Sequence, residues 1–143
     1  MLFDNDGKAL LESKFRDQKL RKLRLNMADA KTTVSELISA VTKFEAEREW
    51  EQFHSPKNLA MGIAVETGEL LEHFIWIDEA ESREVVNDKE QLNQIKEEMA
   101  DVFCYLLNLA QVLKIDLSEA FYEKMKLNAQ KYPAEKYRGR YKL

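Results

Sequence analysis

Cysteine, glycine and proline are all scarce in this chain, which has one cysteine, four glycines and two prolines among 143 residues. The single cysteine, Cys104, excludes an intramolecular disulfide framework and is typical of a small core residue in a reducing compartment. No apolar run approaches the roughly 20 residues of a membrane span, and no secretory signal is visible. These absences favour a helix-rich cytoplasmic globule that has no membrane partner.

Basic residues are also fewer than acidic ones: the chain has 22 Lys and Arg and 26 Asp and Glu, which gives a net charge of −4. Residues 1–31 carry a balance of +3, which leaves −7 on residues 32–143. An acidic body of this kind argues against a nucleic acid polymer as partner. We interpret the basic segment 14–25, KFRDQKLRKLRL, as a loosely held terminal helix, the alternative being an arm that touches a partner subunit.

Apolar periodicity and capping signals predict four long helices. Thr33 with Glu36 forms a capping box, Ser55-Pro56 is an N-cap followed by a first-turn proline, and Asp116 precedes another apolar run. The predicted helices run from Thr33 to about Phe53, from Pro56 to about Ile77, from about Asp88 to about Leu113 and from Asp116 to about Tyr132. Residues 78–87 form a polar connection. No strand pattern competes, so the expected fold is an all-α four-helix bundle.

Two acidic pairs lie in apolar surroundings, Glu66 with Glu69 and Glu98 with Asp101. The i,i+3 spacing alone carries no information, because the chain has six such acidic pairs and its composition predicts about five. Their context is what separates them from the others. A buried carboxylate needs neutralising charge, and four that converge on one cleft favour a hard divalent cation over lysines.

Magnesium is the expected ion, with manganese as a substitute, because magnesium binds carboxylates together with substrate phosphates. Iron is the rival metal. A ferritin-like di-iron bundle needs two Glu-x-x-His motifs, and this chain has one, Glu51 to His54, at the end of a predicted helix. Aromatic side chains suit a nucleotide base: Trp76 lies two helical turns beyond Glu69, and Tyr105 lies one turn beyond Asp101. Either ring could instead belong to the core.

Three segments carry a family resemblance: EREWEQFHSPKNLAMGIAVETGELLEHFIW, EEMADVFCYLLNLA and KMKLNAQKYP. They resemble the all-α nucleoside triphosphate pyrophosphohydrolases of the MazG-like superfamily, in particular its dCTP pyrophosphatase branch. The match covers roughly residues 33–133. We therefore divide the chain into an amino-terminal extension of residues 1–31, a MazG-like helical domain of residues 32–133 and a basic tail of residues 134–143.

The resemblance implies hydrolysis of a nucleoside triphosphate, dCTP or a modified dCTP, to the monophosphate and pyrophosphate in nucleotide-pool sanitation. It implies that Glu66, Glu69, Glu98 and Asp101 bind Mg²⁺ and carry the catalysis. The residues that it places around the nucleoside are Trp50, Glu51, Gln52, Phe53, His54, Trp76 and Tyr105. Those that it places toward the phosphates are Lys124, Asn128, Lys131 and Tyr132, whose positions also fit one helical stripe of cations and donors.

Four further expectations concern single residues and assembly. Some family members carry a base-contacting histidine nine residues before the motif tryptophan, where this chain has Val41, so the cytosine preference has less support than the chemistry. Gly68 lies between two glutamates, and we expect a neighbouring helix to approach it closely. We interpret His73 as structural or solvated. The resemblance implies a homo-oligomer, a dimer or tetramer.

Two alternative functions remain open. One is a non-catalytic helical interaction module whose acidic face binds a basic partner, which would show no metal dependence. The other is a MazG-like enzyme with a different base preference.

Overall fold

The computed structural model describes residues 27–140, which form helices and turns with no strand among them. The α-helices are α1 Val34–Ala46, α2 Pro56–Glu72, α3 Glu79–Glu84, α4 Lys89–Leu113, α5 Leu117–Lys131 and α6 Ala134–Tyr137. Short 3₁₀ helices cover Ala28–Ala30, Trp50–Phe53 and Val85–Asn87. The prediction of an all-α helical protein is confirmed. Within the described range, no helix combines the length and the apolar character needed to cross a membrane.

The chain divides into two compact units, Met1–Leu37 and Ile38–Leu143. In the first unit, the predicted capping box is present: the Thr33 backbone N–H donates to Glu36 Oε2 over 2.7 Å, and the Glu36 N–H donates to Thr33 Oγ1 over 3.2 Å. The hydrogen bonds that the Thr33 backbone N–H and the Thr33 hydroxyl donate to the Glu36 carboxylate lower the pKa of Glu36. The basic segment 14–25 lies outside the described residues, and the three-part division of the chain stays a prediction.

Two predicted helix ends are wrong. The first helix ends at Ala46 rather than near Phe53, because Glu49 adopts a left-handed conformation with φ 56° that no α-helix accommodates. The second helix ends at Glu72 rather than near Ile77. Asp78 then caps a new helix, α3, through a capping box with Glu81, so the predicted polar connection is itself partly helical.

The remaining boundaries of the four predicted long helices agree with the sequence, whereas the short helix α6 within residues 134–143 was not predicted. Ser55 Oγ accepts the Asn58 N–H at the start of α2, and the Asp88 carboxylate accepts two backbone N–H groups at the start of α4. Helix α4 ends at Leu113, where Lys114 turns left-handed with φ 56°. Asp116 caps α5, as predicted.

Helices α2 and α4 form the most extensive helix pair in the described part of the chain. Leu59 of α2 is fully buried, and Ile95, Leu107 and Ala110 of α4 are buried with it. Helix α1 joins α4 through a hydrogen bond from Thr42 Oγ1 to Gln111 Oε1. Helix α5 has no buried residue and exposes Phe121 and other large apolar side chains.

Candidate functional site

Three carboxylates from α2 and α4 converge where the two helices pack. Glu66, Glu69 and Glu98 each offer one oxygen, and these oxygens lie within 4.8 Å of one another. Residues three apart share one helix face, so each helix presents its acidic pair toward the other. Asp101 follows Glu98 by one turn and is close enough to raise the pKa of Glu66. The structure thus brings the four predicted metal ligands to one region.

These carboxylates are less buried than the sequence suggested. Glu66 and Glu98 are half-buried, whereas Glu69 and Asp101 are exposed. The expectation that all four would be enclosed by apolar surfaces is therefore wrong. The physical reason is that the buried contacts of α2 and α4 involve other positions, such as Leu59.

Like charges give this cluster its electrostatic character. Partial burial raises the pKa of Glu66, and the charges of Glu69, Asp101 and Glu98 raise it further. Converging oxygen ligands that repel one another fit a hard divalent cation, because a cation replaces repulsion by attraction and such cations prefer carboxylate oxygens. The chemistry of the donor set is therefore compatible with Mg²⁺.

An aromatic cavity of about 620 Å³ adjoins the cluster. Glu66 and Asp101 are among its lining residues, and Phe44, Trp50 and Tyr105 contribute aromatic rings. Its volume lies within the range of small-molecule pockets, about 300–1,000 Å³. Carboxylates that could hold a metal and rings that could hold a planar base thus line one space.

Ring contacts connect the aromatic walls. Phe44 and Trp50 meet edge to face with centroids 5.8 Å apart, and Trp50 lies 6.4 Å from the His54 ring. The His54 and Tyr105 rings follow at 6.5 Å. Edge-to-face contacts hold aromatic rings in fixed relative orientations, so these walls form one continuous surface.

The motif from Trp50 to His54 contributes to the cavity only at its ends. Trp50 and His54 line it, whereas Glu51, Gln52 and Phe53 are exposed and outside its lining. The 3₁₀ helix Trp50–Phe53 explains the split, because its three-residue turn directs successive side chains to different sides.

Two buried polar residues of the cavity, Glu45 and Asn108, were not predicted from the sequence. Both are buried and both line the cavity beside His54. Asn108 could have been recognised from the sequence, because it is a polar residue inside the apolar run LLNLA. Glu45 was harder to recognise, because its only distinction in the sequence is that it lies one helical turn after Val41, which also lines the cavity.

Trp76 lies outside this cavity. It is 89% exposed, so the alternative that it belongs to the core of this chain is wrong. The predicted alignment of Trp76 with Glu69 assumed two further helical turns, but α2 ends at Glu72 and the next residues form turns.

The predicted phosphate-binding residues lie on or just after α5. Lys124, Asn128 and Lys131 follow one helical stripe, and Tyr132 is the C-cap residue beyond the helix. None of the four lines the aromatic cavity. Lys131 Nζ lies 5.2 Å from the centre of the Tyr132 ring, and that ring packs edge to face on Tyr137.

Cys104 and His73 occupy different surroundings. Cys104 is exposed and lines the aromatic cavity, so its assignment to the core was wrong. Desolvation and the nearby charges of Asp101 and Glu45 raise the pKa of its thiol, which keeps it in the less reactive protonated form. His73 is half-buried, and its backbone carbonyl accepts a hydrogen bond from Gln91.

The two glycines of α2 have opposite surroundings. A Cβ on Gly62 would lie 2.5 Å from Cε1 of Tyr105, whereas a Cβ on Gly68 would meet no described atom within 4 Å. The close approach expected at Gly68 therefore occurs at Gly62. The missing side chain at Gly62 allows the Tyr105 ring to lie against α2.

This contrast predicts opposite effects of two Gly→Ala changes. Gly62→Ala should displace the Tyr105 ring and lower the free energy of unfolding by about 1–3 kcal/mol. The matched variant Gly68→Ala should raise it by up to about 1 kcal/mol, because alanine favours a helix interior over glycine. Urea denaturation measures both. Equal stability of the two variants would contradict the packing of Tyr105 on α2.

The raised pKa of Glu66 predicts how stability depends on pH. Between the unfolded and folded pKa values of Glu66, the folded state binds more protons, so the free energy of unfolding falls as pH rises through this window. Glu66→Gln has no such titration. Urea denaturation in EDTA should therefore show that Glu66→Gln gains stability over the wild type as pH rises from about 4 toward 7. A constant difference between the two proteins across this range would contradict the raised pKa of Glu66.

Comparison with known proteins places the chain in a family. Residues 61–142 match the model of the MazG-like family. The chain is 38% identical over 107 residues to dCTP pyrophosphatase 1 of Rattus norvegicus and 37% identical over 102 residues to that of Homo sapiens. These matches cover 75% and 71% of the chain, which spans 63% and 60% of those relatives. A crystal structure of a pyrophosphatase from Archaeoglobus fulgidus has a TM-score of 0.65 and 41% identity, covering 69% of this chain and 91% of that one. The chain belongs to the MazG-like family.

Proposed function

We propose that this protein hydrolyses a nucleoside triphosphate, dCTP or a modified dCTP, to the monophosphate and pyrophosphate with Mg²⁺. The observation that carries the proposal is the position of Glu66, which belongs to the carboxylate cluster and also lines the aromatic cavity. A triphosphate with its base in the cavity would have its phosphates near the cluster. Such a reaction on the cytoplasmic pool would remove unwanted nucleotides.

The relatives support this substrate class. The proteins from rat and human are named dCTP pyrophosphatases, and the archaeal protein is named a pyrophosphatase. Val41 lines the cavity at the position where we expected a base-contacting histidine in some family members. The cytosine preference therefore rests on the relatives, and a different base remains the alternative within the same chemistry.

The proposed roles follow from the position of each group. Glu66, Glu69, Glu98 and Asp101 would hold Mg²⁺, which when bound neutralises phosphate charge and lowers the pKa of an attacking water. A carboxylate oxygen that is not engaged by the ion would accept the proton of that water. Attack at the α-phosphorus leaves pyrophosphate as the leaving group, which accounts for the expected products.

Aromatic stacking would bind the base between Trp50 and Tyr105, an interaction worth about 1–3 kcal/mol per base.

We further propose that the stripe formed by Lys124, Asn128 and Lys131, with Tyr132, contacts phosphate oxygens. Its support is the chemistry of cations and donors and the family resemblance.

The function predicts magnesium-dependent release of pyrophosphate by the full chain. Glu98→Gln keeps the shape of the side chain but loses its charge. Mutation of a residue that only supports a metal ligand lowers activity by up to about a hundredfold. Loss of a ligand itself should therefore lower turnover by at least about a hundredfold. The matched control is Glu90→Gln, an exposed glutamate in the first turn of the same helix, which should keep wild-type turnover. A panel of triphosphates, assayed by pyrophosphate detection, measures rate and base preference together.

Two results would contradict the function. Sequential release of orthophosphate from the γ end would exclude attack at the α-phosphorus, and wild-type rates in Glu98→Gln would remove this residue from the metal site. A non-catalytic interaction module would show no thermal stabilisation by a non-hydrolysable dCTP analogue with Mg²⁺. That titration separates the two classes of function.

We also propose that the protein is a homo-oligomer, a dimer or tetramer. Large apolar side chains remain exposed on all three long helices of the second unit, including Val65 of α2, Met99 of α4 and Phe121 of α5. Extended apolar surface on a soluble chain marks an interaction site. A second copy would cover this surface, and it is the partner that the family resemblance suggests.

Helix α5 offers a test of this assembly. Phe121 and Met125 are one turn apart, with exposures of 60% and 48%. The double variant Phe121→Lys/Met125→Lys should shift the protein to a smaller species in light scattering coupled to size exclusion, because charges would have to be buried in the interface. Lys126→Gln, a substitution on the same helix, is the control and should keep the wild-type mass. A monomeric wild-type protein would contradict the proposal.

A further inference from the structure

Three polar side chains from distant parts of the chain meet in the wall of the aromatic cavity. They are Glu45 of α1, His54 between α1 and α2, and Asn108 of α4, and we name them the polar trio. Glu45 is 7% exposed and Asn108 is 3% exposed, while the His54 side chain is 18% exposed. Burying a carboxylate is costly unless it is paired and hydrogen-bonded. The contacts of the trio therefore have to account for Glu45.

The hydrogen bonds of the trio define the state of the imidazole ring. His54 Nδ1 lies 2.9 Å from Glu45 Oε1, and Asn108 Nδ2 lies 3.0 Å from the same Nδ1 and also donates to Glu45 Oε1. An ionised carboxylate only accepts, whereas imidazole Nδ1 either donates or accepts. The arrangement that satisfies every group places the proton on Nδ1, which donates to Glu45, while the Asn108 amide donates to the same carboxylate.

This arrangement leaves the other ring nitrogen available. Nε2 is separated from Nδ1 by one ring carbon, and it has no hydrogen bond to any residue of the range 27–140. The His54 ring contacts both Trp50 and Tyr105 edge to face, with ring centroids 6.4 Å and 6.5 Å away. A base stacked between these walls would therefore find a polar ring nitrogen at its edge.

We propose that Glu45 and Asn108 are positioning residues that fix the tautomer and orientation of His54, so that Nε2 forms a hydrogen bond with the edge of the bound nucleobase. This inference rests on the proposed function for the identity of the ligand. In the neutral ring, Nε2 is an acceptor for a donor group of the base. A site built around a buried polar group selects against ligands that leave the group unpaired.

A purely structural role explains the trio less well. Replacing a buried ionic group by apolar residues is often neutral or stabilising, so burial of Glu45 is weak evidence for a contribution to stability. In catalytic and metal sites, a histidine uses one ring nitrogen for the substrate or metal and donates from the other to a carboxylate. That carboxylate fixes the orientation and tautomer of the ring. Here the same arrangement serves a ring in the wall of a ligand cavity.

The wild-type protein provides the first test, because the chain has only two histidines. Imidazole ¹⁵N spectra of the full chain should show His54 as the tautomer protonated at Nδ1, and His73 serves as the internal reference. Glu45→Gln should change the His54 pattern and leave that of His73 unchanged. A wild-type His54 protonated only at Nε2 would overturn the proposal, because Nδ1 would then accept from Asn108.

Kinetics on the triphosphate that the wild type hydrolyses best provide the second test. Glu45→Gln and His54→Gln should each raise KM roughly tenfold, the loss expected for one hydrogen bond, and should change kcat by no more than about twofold. The double variant should resemble His54→Gln alone, because Glu45 acts through His54. Glu79→Gln, which removes an exposed carboxylate paired with Arg83, is the control and should change neither constant.

The outcomes separate the alternatives. Multiplicative effects of the two substitutions, or a fall in kcat with unchanged KM, would overturn the positioning role. If Glu45→Gln fails to fold, Asn108→Ser, which removes the amide that donates to Glu45, is subjected to the same assays and should raise KM in the same way. If the wild type hydrolyses no triphosphate, the proposed function fails, and the histidine spectrum alone then decides whether Glu45 holds Nδ1.

Discussion

The packing of α2 against α4 is the contact on which the candidate site depends. Fully buried Leu59 and its apolar neighbours on α4 hold the two helices together, and burial of one such side chain contributes about 1.5–3 kcal/mol. This attraction offsets both the partial burial of Glu66 and the repulsion among the carboxylates that the same helices carry, and these two effects together raise the pKa of Glu66. A cation would relieve that repulsion without any change in the packing.

The aromatic cavity needs a third element as well. Helix α1 supplies Phe44 and Glu45, and the 3₁₀ helix after it supplies Trp50. Gly62 then allows Tyr105 to lie against α2. Carboxylates and aromatic rings therefore line one cavity, a combination that suits a nucleotide, because its phosphates are charged and its base is flat and largely apolar.

Large apolar side chains are exposed on the long helices and in the turn that follows α2. Trp76 is 89% exposed, and α5 buries none of its residues. A helix gains most of its stability from packing rather than from intrinsic propensity, so α5 has a physical reason to pack against a second copy. Assembly would also change the surroundings of the cationic stripe that α5 carries.

The sequence by itself determined the helical class, the starts of the four long helices and the grouping of the acidic pairs. Caps such as Ser55 and Asp116, like i,i+3 neighbours, act within one turn, so adjacent residues suffice to predict them. Only the tertiary structure decided the exposure of Asp101 and the meeting of Glu45 with Asn108. Burial depends on which helix faces make contact, and the two members of that pair are 63 residues apart, so no local pattern relates them.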